Sequence, residues 1–124
     1  MSADDNKQAA KDGYEAFGRG DAEAAMERIS DSVEWVVTGD SAVSGTYSGK
    51  EEIGGLWAQL AGKEFKTEPS EFIAEGDKVV VLSDTSVGGE QARVADLLTY
   101  DGDGQLIRFE SCGGEEAQSR VFPK

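Results

Sequence analysis

An α+β domain, with helices gathered early in the chain and a curved antiparallel sheet wrapping around helices packed on one face, is the fold this sequence predicts. Two observations carry the prediction. Up to Gly62 the order is helix, helix, strand, helix, and beyond it four β-rich runs follow one another across short glycine turns. A third sets the scale: 124 residues with 38% apolar content suffice for one core and are few for two. A single domain over residues 1–124 is therefore expected, with flexible ends. No repeat, low-complexity linker or internal boundary is visible.

The first helix runs from Lys7 to Phe17, where Ala10, Tyr14 and Phe17 fall on one side, and "GRGD" at Gly18 to Asp21 stops it. Asp21 is a good N-cap for a second helix, whose Ala22, Ala25, Met26 and Ile29 keep the i, i+3, i+4, i+7 spacing. Val33 to Val37, rich in Val and Trp, reads as a strand, and a long glycine and serine loop follows it. In "SGKE", Ser48 and Glu51 form a capping-box pattern for a third helix. Its apolar stripe is Ile53, Leu56, Trp57 and Leu60, and Gly62 is its stop.

Phe65 to Ala74, Val79 to Val87, Ala92 to Tyr100 and Leu106 to Cys112 are the four remaining strands, joined as a meander by "EGDK", "GGEQ" and "DGDG". The last of these turns faintly echoes a calcium loop. Its twelfth position is Cys112 where a glutamate is needed, so a hairpin turn explains it better. The polar tail from Gly113 onward is expected to be only partly ordered.

Composition narrows the chemistry. With 12 Lys and Arg against 25 Asp and Glu, the formal charge is -13, which repels phosphate backbones and anionic membrane surfaces; neither nucleic acid nor a membrane is expected as a partner. A solvated, solubilising surface and adaptation to high salt both account for this acidity. Histidine is absent and Cys112 is the single cysteine. That removes the commonest general base, the Ser-His and Cys-His nucleophile pairs, internal disulfides and cysteine-based zinc sites. Carboxylates, Tyr, Lys, Arg and water remain, and no metal site is expected. No apolar stretch reaches the roughly 20 residues that span a bilayer, and the acidic start "MSADDNKQAAK" is unlike a secretory signal, so a cytoplasmic location is expected.

Four segments together, "YEAFGRGDAEA" (Tyr14 to Ala24), "VEW" (Val33 to Trp35), "GDSAVSGTYSGKEEI" (Gly39 to Ile53) and "LLTYDGDGQLIRF" (Leu97 to Phe109), resemble the SnoaL-like branch of the nuclear transport factor 2-like superfamily. This branch is similar to polyketide cyclases and ketosteroid isomerases. The resemblance covers most of the chain. It implies a cone-shaped barrel, with N-terminal helices packed on a strongly curved, mainly antiparallel sheet that encloses an apolar pocket, commonly in a homodimer. Because the superfamily includes isomerases, cyclases, dehydratases, epoxide hydrolases and non-catalytic proteins, the activity must be argued from the site.

Alternation along the penultimate strand puts Ala92, Val94, Asp96, Leu98 and Tyr100 on one face, so Asp96 is a lone carboxylate in an apolar row. Burial there would raise its pKa and make it an acid or a base near neutral pH; the alternatives are a solvent-facing Asp96 or one paired with Arg93 or Arg108. The resemblance implies a role: Asp96 falls where ketosteroid isomerases keep a protonated aspartic acid facing the developing oxyanion. Two departures accompany this. The isomerase base should occupy the third position of "VEW", which is Trp35, and the oxyanion-hole tyrosine falls at Gly13, one residue before Tyr14. Ordinary steroid isomerisation is therefore not expected.

Tyr14 reaches the cavity after a small helix rotation or is a core or interface residue. Asp40, in the opening loop, is a second acid or base opposite Asp96 or simply a turn residue after Gly39. Asp96, Asp40 and Tyr14 are thus the catalytic candidates. Candidates for shaping the ligand site are Phe17, Trp35, Val37, Leu56, Trp57, Leu98, Phe109 and Ser111; Ser111 has no histidine to activate it as a nucleophile. Cys112, on the opposite face of its strand, reads as a packed residue. Epoxide hydrolases of the superfamily would need an arginine two residues before the aspartate, and Arg93 lies three before Asp96.

Two functions follow from this reading. One is an isomerase or cyclase that works on a small, mostly apolar, carbonyl-bearing molecule by carboxylate acid-base chemistry, without a cofactor. The other is a binding protein or dimeric scaffold that keeps the cavity and lacks the base.

Overall fold

The computed structural model describes residues 2–124, so Met1 of the expected domain lies outside it. Helix α1 (Ala3–Gly18) begins four residues earlier than the periodicity suggests. Ser2 and Asp5 close a reciprocal capping box, each side chain accepting from the other's backbone N–H at 3.1 Å. Helix α2 (Ala22–Met26) is capped by Asp21, whose carboxylate accepts from the Ala24 N–H, and it is shorter than expected. Ile29, placed by spacing on its apolar stripe, belongs to strand β1 (Ile29–Val37) and is buried beside its register partner Leu106. A β-branched side chain gains more from a sheet core than from a further helical turn.

The opening loop is partly a strand. β2 (Gly45–Ser48) pairs antiparallel with β1, Tyr47 opposite Trp35, which leaves residues 38–44 as the connection. In α3 (Gly49–Ala61) the expected Ser48 and Glu51 box is replaced: the Ser48 side chain makes no cap bond, and the Ser48 N–H donates to Glu52 Oε1 at 2.9 Å. Ile53 and Leu56 are fully buried against β1. Gly62 keeps a right-handed φ of -63°, and the left-handed turn falls to Glu64 at φ 56°.

Strands β3 (Lys66–Glu75), β4 (Lys78–Val87), β5 (Glu90–Tyr100) and β6 (Leu106–Cys112) form the expected meander. Among the described residues the sheet order is β2-β1-β6-β5-β4-β3, antiparallel except for the β1 and β6 pair. Register shifts after Ile29, Pro69 and Thr99 mark irregularities that increase local twist and help curl the sheet around α1 and α3. Pro69, which cannot donate to a ladder, sits at the shift in edge strand β3.

The tail is organised, against expectation, as α4 (Glu115–Val121). Gly113 at φ 98° turns the chain where a Cβ would press on the Arg93 carbonyl oxygen at 3.0 Å, so a larger side chain is excluded. Ala117 and Phe122 are buried, and the Phe122 carbonyl accepts from the Ala42 N–H at 2.8 Å, tying the tail to the 38–44 connection. No described helix is long and apolar enough to cross a membrane.

Candidate active site

The curled sheet, α1, α3 and α4 surround a cavity of about 270 Å³. Asp96 faces it from the middle of β5, only 5% exposed and flanked on the same face by buried Val94 and Leu98. The period-two alternation of a strand places it there. It is the one buried acidic or basic side chain among the described residues.

Tyr14 reaches it from α1. Its hydroxyl donates to Asp96 Oδ2, while its ring packs edge-on against Phe72 at 5.8 Å. Tyr14 is thus packed against the core and also lines the cavity, the two roles the sequence left as alternatives. Gly13, where the resemblance put the oxyanion tyrosine, lines the cavity too, without a side chain.

Burial raises the Asp96 pKa to about 6, against the opposing effect of hydrogen bonding from Tyr14 and Ser111, its register partner on β6. Near neutral pH the carboxylate is therefore mostly ionised but much more basic than an exposed one. Burial, and then the adjacent Asp96 charge, push the Tyr14 hydroxyl well above its usual range, so it stays a proton donor. Neither arginine competes for Asp96. Arg93 bonds Asp84 at 3.1 Å, and Arg108 bonds Glu110 at 3.0 Å with Glu34 at 3.5 Å.

All eight proposed lining residues, Phe17, Trp35, Val37, Leu56, Trp57, Leu98, Phe109 and Ser111, border the cavity. Trp35 stacks on Phe109 with ring centres 3.7 Å apart and meets Trp57 edge-on at 5.8 Å, and Trp57 meets Phe17 at 5.0 Å. These rings form an aromatic wall that leaves the cavity open.

Asp40 does not belong to this site. It lies outside the cavity lining, its side chain is 81% exposed, and it pairs with Lys124 Nζ at 2.5 Å. The inward places of its loop are taken by Ser41 and Val43, which are buried, so Asp40 points outward. The expectation of a second acid or base opposite Asp96 is corrected accordingly.

Sequence reasoning missed the contribution of α4 and the residue after it, which add Ala117, Gln118 and Phe122 to the lining. The i, i+4 pair Ala117 and Val121 behind Glu115 and Glu116 was the available signal, short for a seven-residue helix. It also missed Thr67 and Thr85, register partners on β3 and β4. Among the described residues no three His, Cys, Asp or Glu side chains converge as a metal set.

A family model, the SnoaL-like domain, matches residues 10–109. The chain belongs to the SnoaL-like family. Solved structures with the same NTF2-like fold include a protein of unknown function from Burkholderia pseudomallei, 24% identical over the full length of both chains with a TM-score of 0.84. TerC, co-crystallised with polyporic acid, is 25% identical over 94% of this chain and 97% of its own, with a TM-score of 0.79. A protein provisionally assigned as a polyketide cyclase, from Sinorhizobium meliloti, is 21% identical over 84% and 93%, with a TM-score of 0.71. No curated protein matches this SnoaL-like chain.

Proposed function

We propose that this SnoaL-like protein is an isomerase or cyclase that moves a proton on a small, apolar, carbonyl-bearing molecule, using Asp96 and Tyr14. The observation that carries the reading is the Tyr14 and Asp96 pair, with Asp96 buried and Tyr14 half-buried beside it, on a cavity whose wall around them is mainly apolar. The Asp96 carboxylate takes a proton from the carbon next to the carbonyl, and the negative charge moves to the carbonyl oxygen. Tyr14, which donates to Asp96 while that group is charged, then has a better acceptor in the enolate oxygen, and its hydrogen bond follows the charge. The Asp96 carboxylic acid returns the proton at a second carbon in an isomerisation. In a cyclisation the enolate carbon attacks a second carbonyl, and the acid protonates the new alkoxide. General acid-base catalysis of this kind contributes about 100- to 10,000-fold. TerC, with its polyporic acid, is a precedent for a small organic ligand with this fold.

A suitable probe is 1-phenylbut-3-en-1-one, whose double bond migrates into conjugation when a proton leaves C2 and returns at C4, a change read by ultraviolet absorbance. The wild-type protein should accelerate it well beyond acetate at equal carboxylate concentration, and Asp96→Asn should abolish most of the gain. No acceleration would count against the enzyme reading.

A second reading, a ligand-binding protein without catalysis, is favoured by Trp35, which stands where the resemblance places the isomerase base and is stacked on Phe109. Under either reading the partner is a small apolar molecule, and a homodimer in the cytoplasm is part of the proposal. Ile73, Val80 and Leu97, register partners on the outer face of the sheet, support a second copy there, since Ile73 is 54% exposed. Light scattering after size exclusion would measure the mass.

A further inference from the structure

Asp96 occupies the middle of the cavity wall. On β5 the residues lining the cavity are Glu90, Ala92, Val94, Asp96, Leu98 and Tyr100, so the lined face continues on both sides of Asp96, four residues to Tyr100 and six to Glu90, about 13 Å and about 20 Å at the rise of a strand. One arm runs past Leu98 and Tyr100 towards Ile29 and Leu106, apolar next to Asp96 and polar at its far end, where Arg28 joins the lining. The other runs past Val94 and Ala92 towards α4, where Phe122 and Ala117 cover it. A site whose reacting group stood at a closed end would offer room on one side only.

The α4 arm ends in a polar pair. Thr67 on β3 stands opposite Thr85 on β4, which in turn stands opposite Ala92. The Thr85 hydroxyl is used, donating to the Ala92 carbonyl at 3.3 Å. The Thr67 hydroxyl is buried and has no partner among the described residues, although Thr67 borders the cavity. A buried hydroxyl without a partner is unfavourable, and a ligand oxygen would complete it.

Resting on the reading that Asp96 is the reacting group, we infer that the ligand is elongated, with its reactive carbonyl between two arms that are apolar next to that carbonyl, and a hydrogen-bonding oxygen at the tip of the arm that reaches Thr67. A cavity of 270 Å³ suits a molecule of two rings and a short link. Thr67 is then the residue that selects for the oxygenated tip.

Trp35 and Trp57 both border the cavity, so tryptophan fluorescence reports binding directly. Three diketone probes separate the possibilities. In 1,3-diphenylpropane-1,3-dione the carbonyls lie between two rings. In 1-(biphenyl-4-yl)butane-1,3-dione both rings lie on one side of the carbonyls. In 1-(4-hydroxyphenyl)-3-phenylpropane-1,3-dione one arm carries a hydroxyl at its tip. The first should bind about tenfold more tightly than the second, since misplaced apolar area is lost from the contact. The third should gain about fivefold over the first in the wild-type protein, and that gain should vanish in Thr67→Val, which keeps the shape and removes the hydroxyl. Thr67→Ala, should the valine variant fold poorly, must lose the same gain.

Equal or weaker binding of the two-armed probe would overturn the inference, as would a hydroxyl gain that survives both Thr67 variants. The two proposals fail separately. Loss of Asp96-dependent double-bond migration with the two-arm preference intact would remove the assigned chemistry and leave the ligand shape standing. Loss of the preference with migration intact would remove the shape alone.

Discussion

Asp96 and Asp40 are the same side chain in opposite surroundings. Asp96, on the inward face of a central strand, is shut away from water and held by the Tyr14 hydroxyl, and burial lifts its pKa to about 6. Asp40, on the outward side of a loop, lies in solvent and pairs with the exposed ammonium group of Lys124. A carboxylate becomes a chemical instrument when its charge is poorly solvated and its neighbours can respond to proton movement; an exposed ion pair has neither property. The residues around each aspartate, and not the aspartate, make the difference.

Replacing each aspartate tests the contrast most sharply. Asp96→Asn should lower the rate of double-bond migration by about 100- to 10,000-fold, whereas Asp40→Asn should change it by less than about twofold, both read by initial rates. Similar losses at the two positions would erase the distinction. Next in size, Phe122→Ala should destabilise the fold by about 3 kcal/mol in a denaturant titration, because a buried ring that closes the α4 end is deleted.

The pH dependence of stability isolates the burial term. The folded Asp96 pKa lies above the unfolded value of roughly 3.9, so between pH 4 and 6 the folded chain binds its proton more tightly than the unfolded chain does. The stabilising effect is fully present at the acid end, where both states are protonated. It is lost as the pH rises through that window, by up to about 3 kcal/mol, and is constant above it. Asp96→Asn should remove this slope from the difference between the two proteins' unfolding curves; a slope unchanged by the substitution would show that Asp96 is not buried as a titrating group. A smaller loss is expected from Tyr14→Phe. Removing a donor to the charged form raises the Asp96 pKa further, so the acid limb of kcat/KM should move above pH 6, with a rate loss of about tenfold at neutral pH.

Several parts of the fold were legible because local physics and tertiary packing agree. The meander was read from four β-rich runs and their glycine turns, and β6 has the bounds expected of it. Alternation put Asp96 in one row with Ala92, Val94, Leu98 and Tyr100 and left open whether that row faces inward; four of the five are buried, which decides it. The second helix was read too long because Ile29 fits a helical stripe as well as a strand, and its pairing with Leu106 decides between them. The 38–44 connection and α4 were harder. Seven residues behind two glycines carry little periodic signal, and Phe122 is buried only because residues 38–44 lie beside it to accept the tail.

The sequence by itself determined most of the element order, the row on β5 that Asp96 shares with its apolar neighbours, and the lack of histidine anywhere in the chain, since residue type and spacing act locally. Which aspartate faces the cavity was settled only in three dimensions. Tyr14 meets Asp96 across 82 positions of chain and Asp40 meets Lys124 across 84, so the two pairs are alike in sequence separation. They differ in solvent, because the fold closes over one and leaves the other at its surface, and burial is a property of the packed whole that no stretch of residues carries alone.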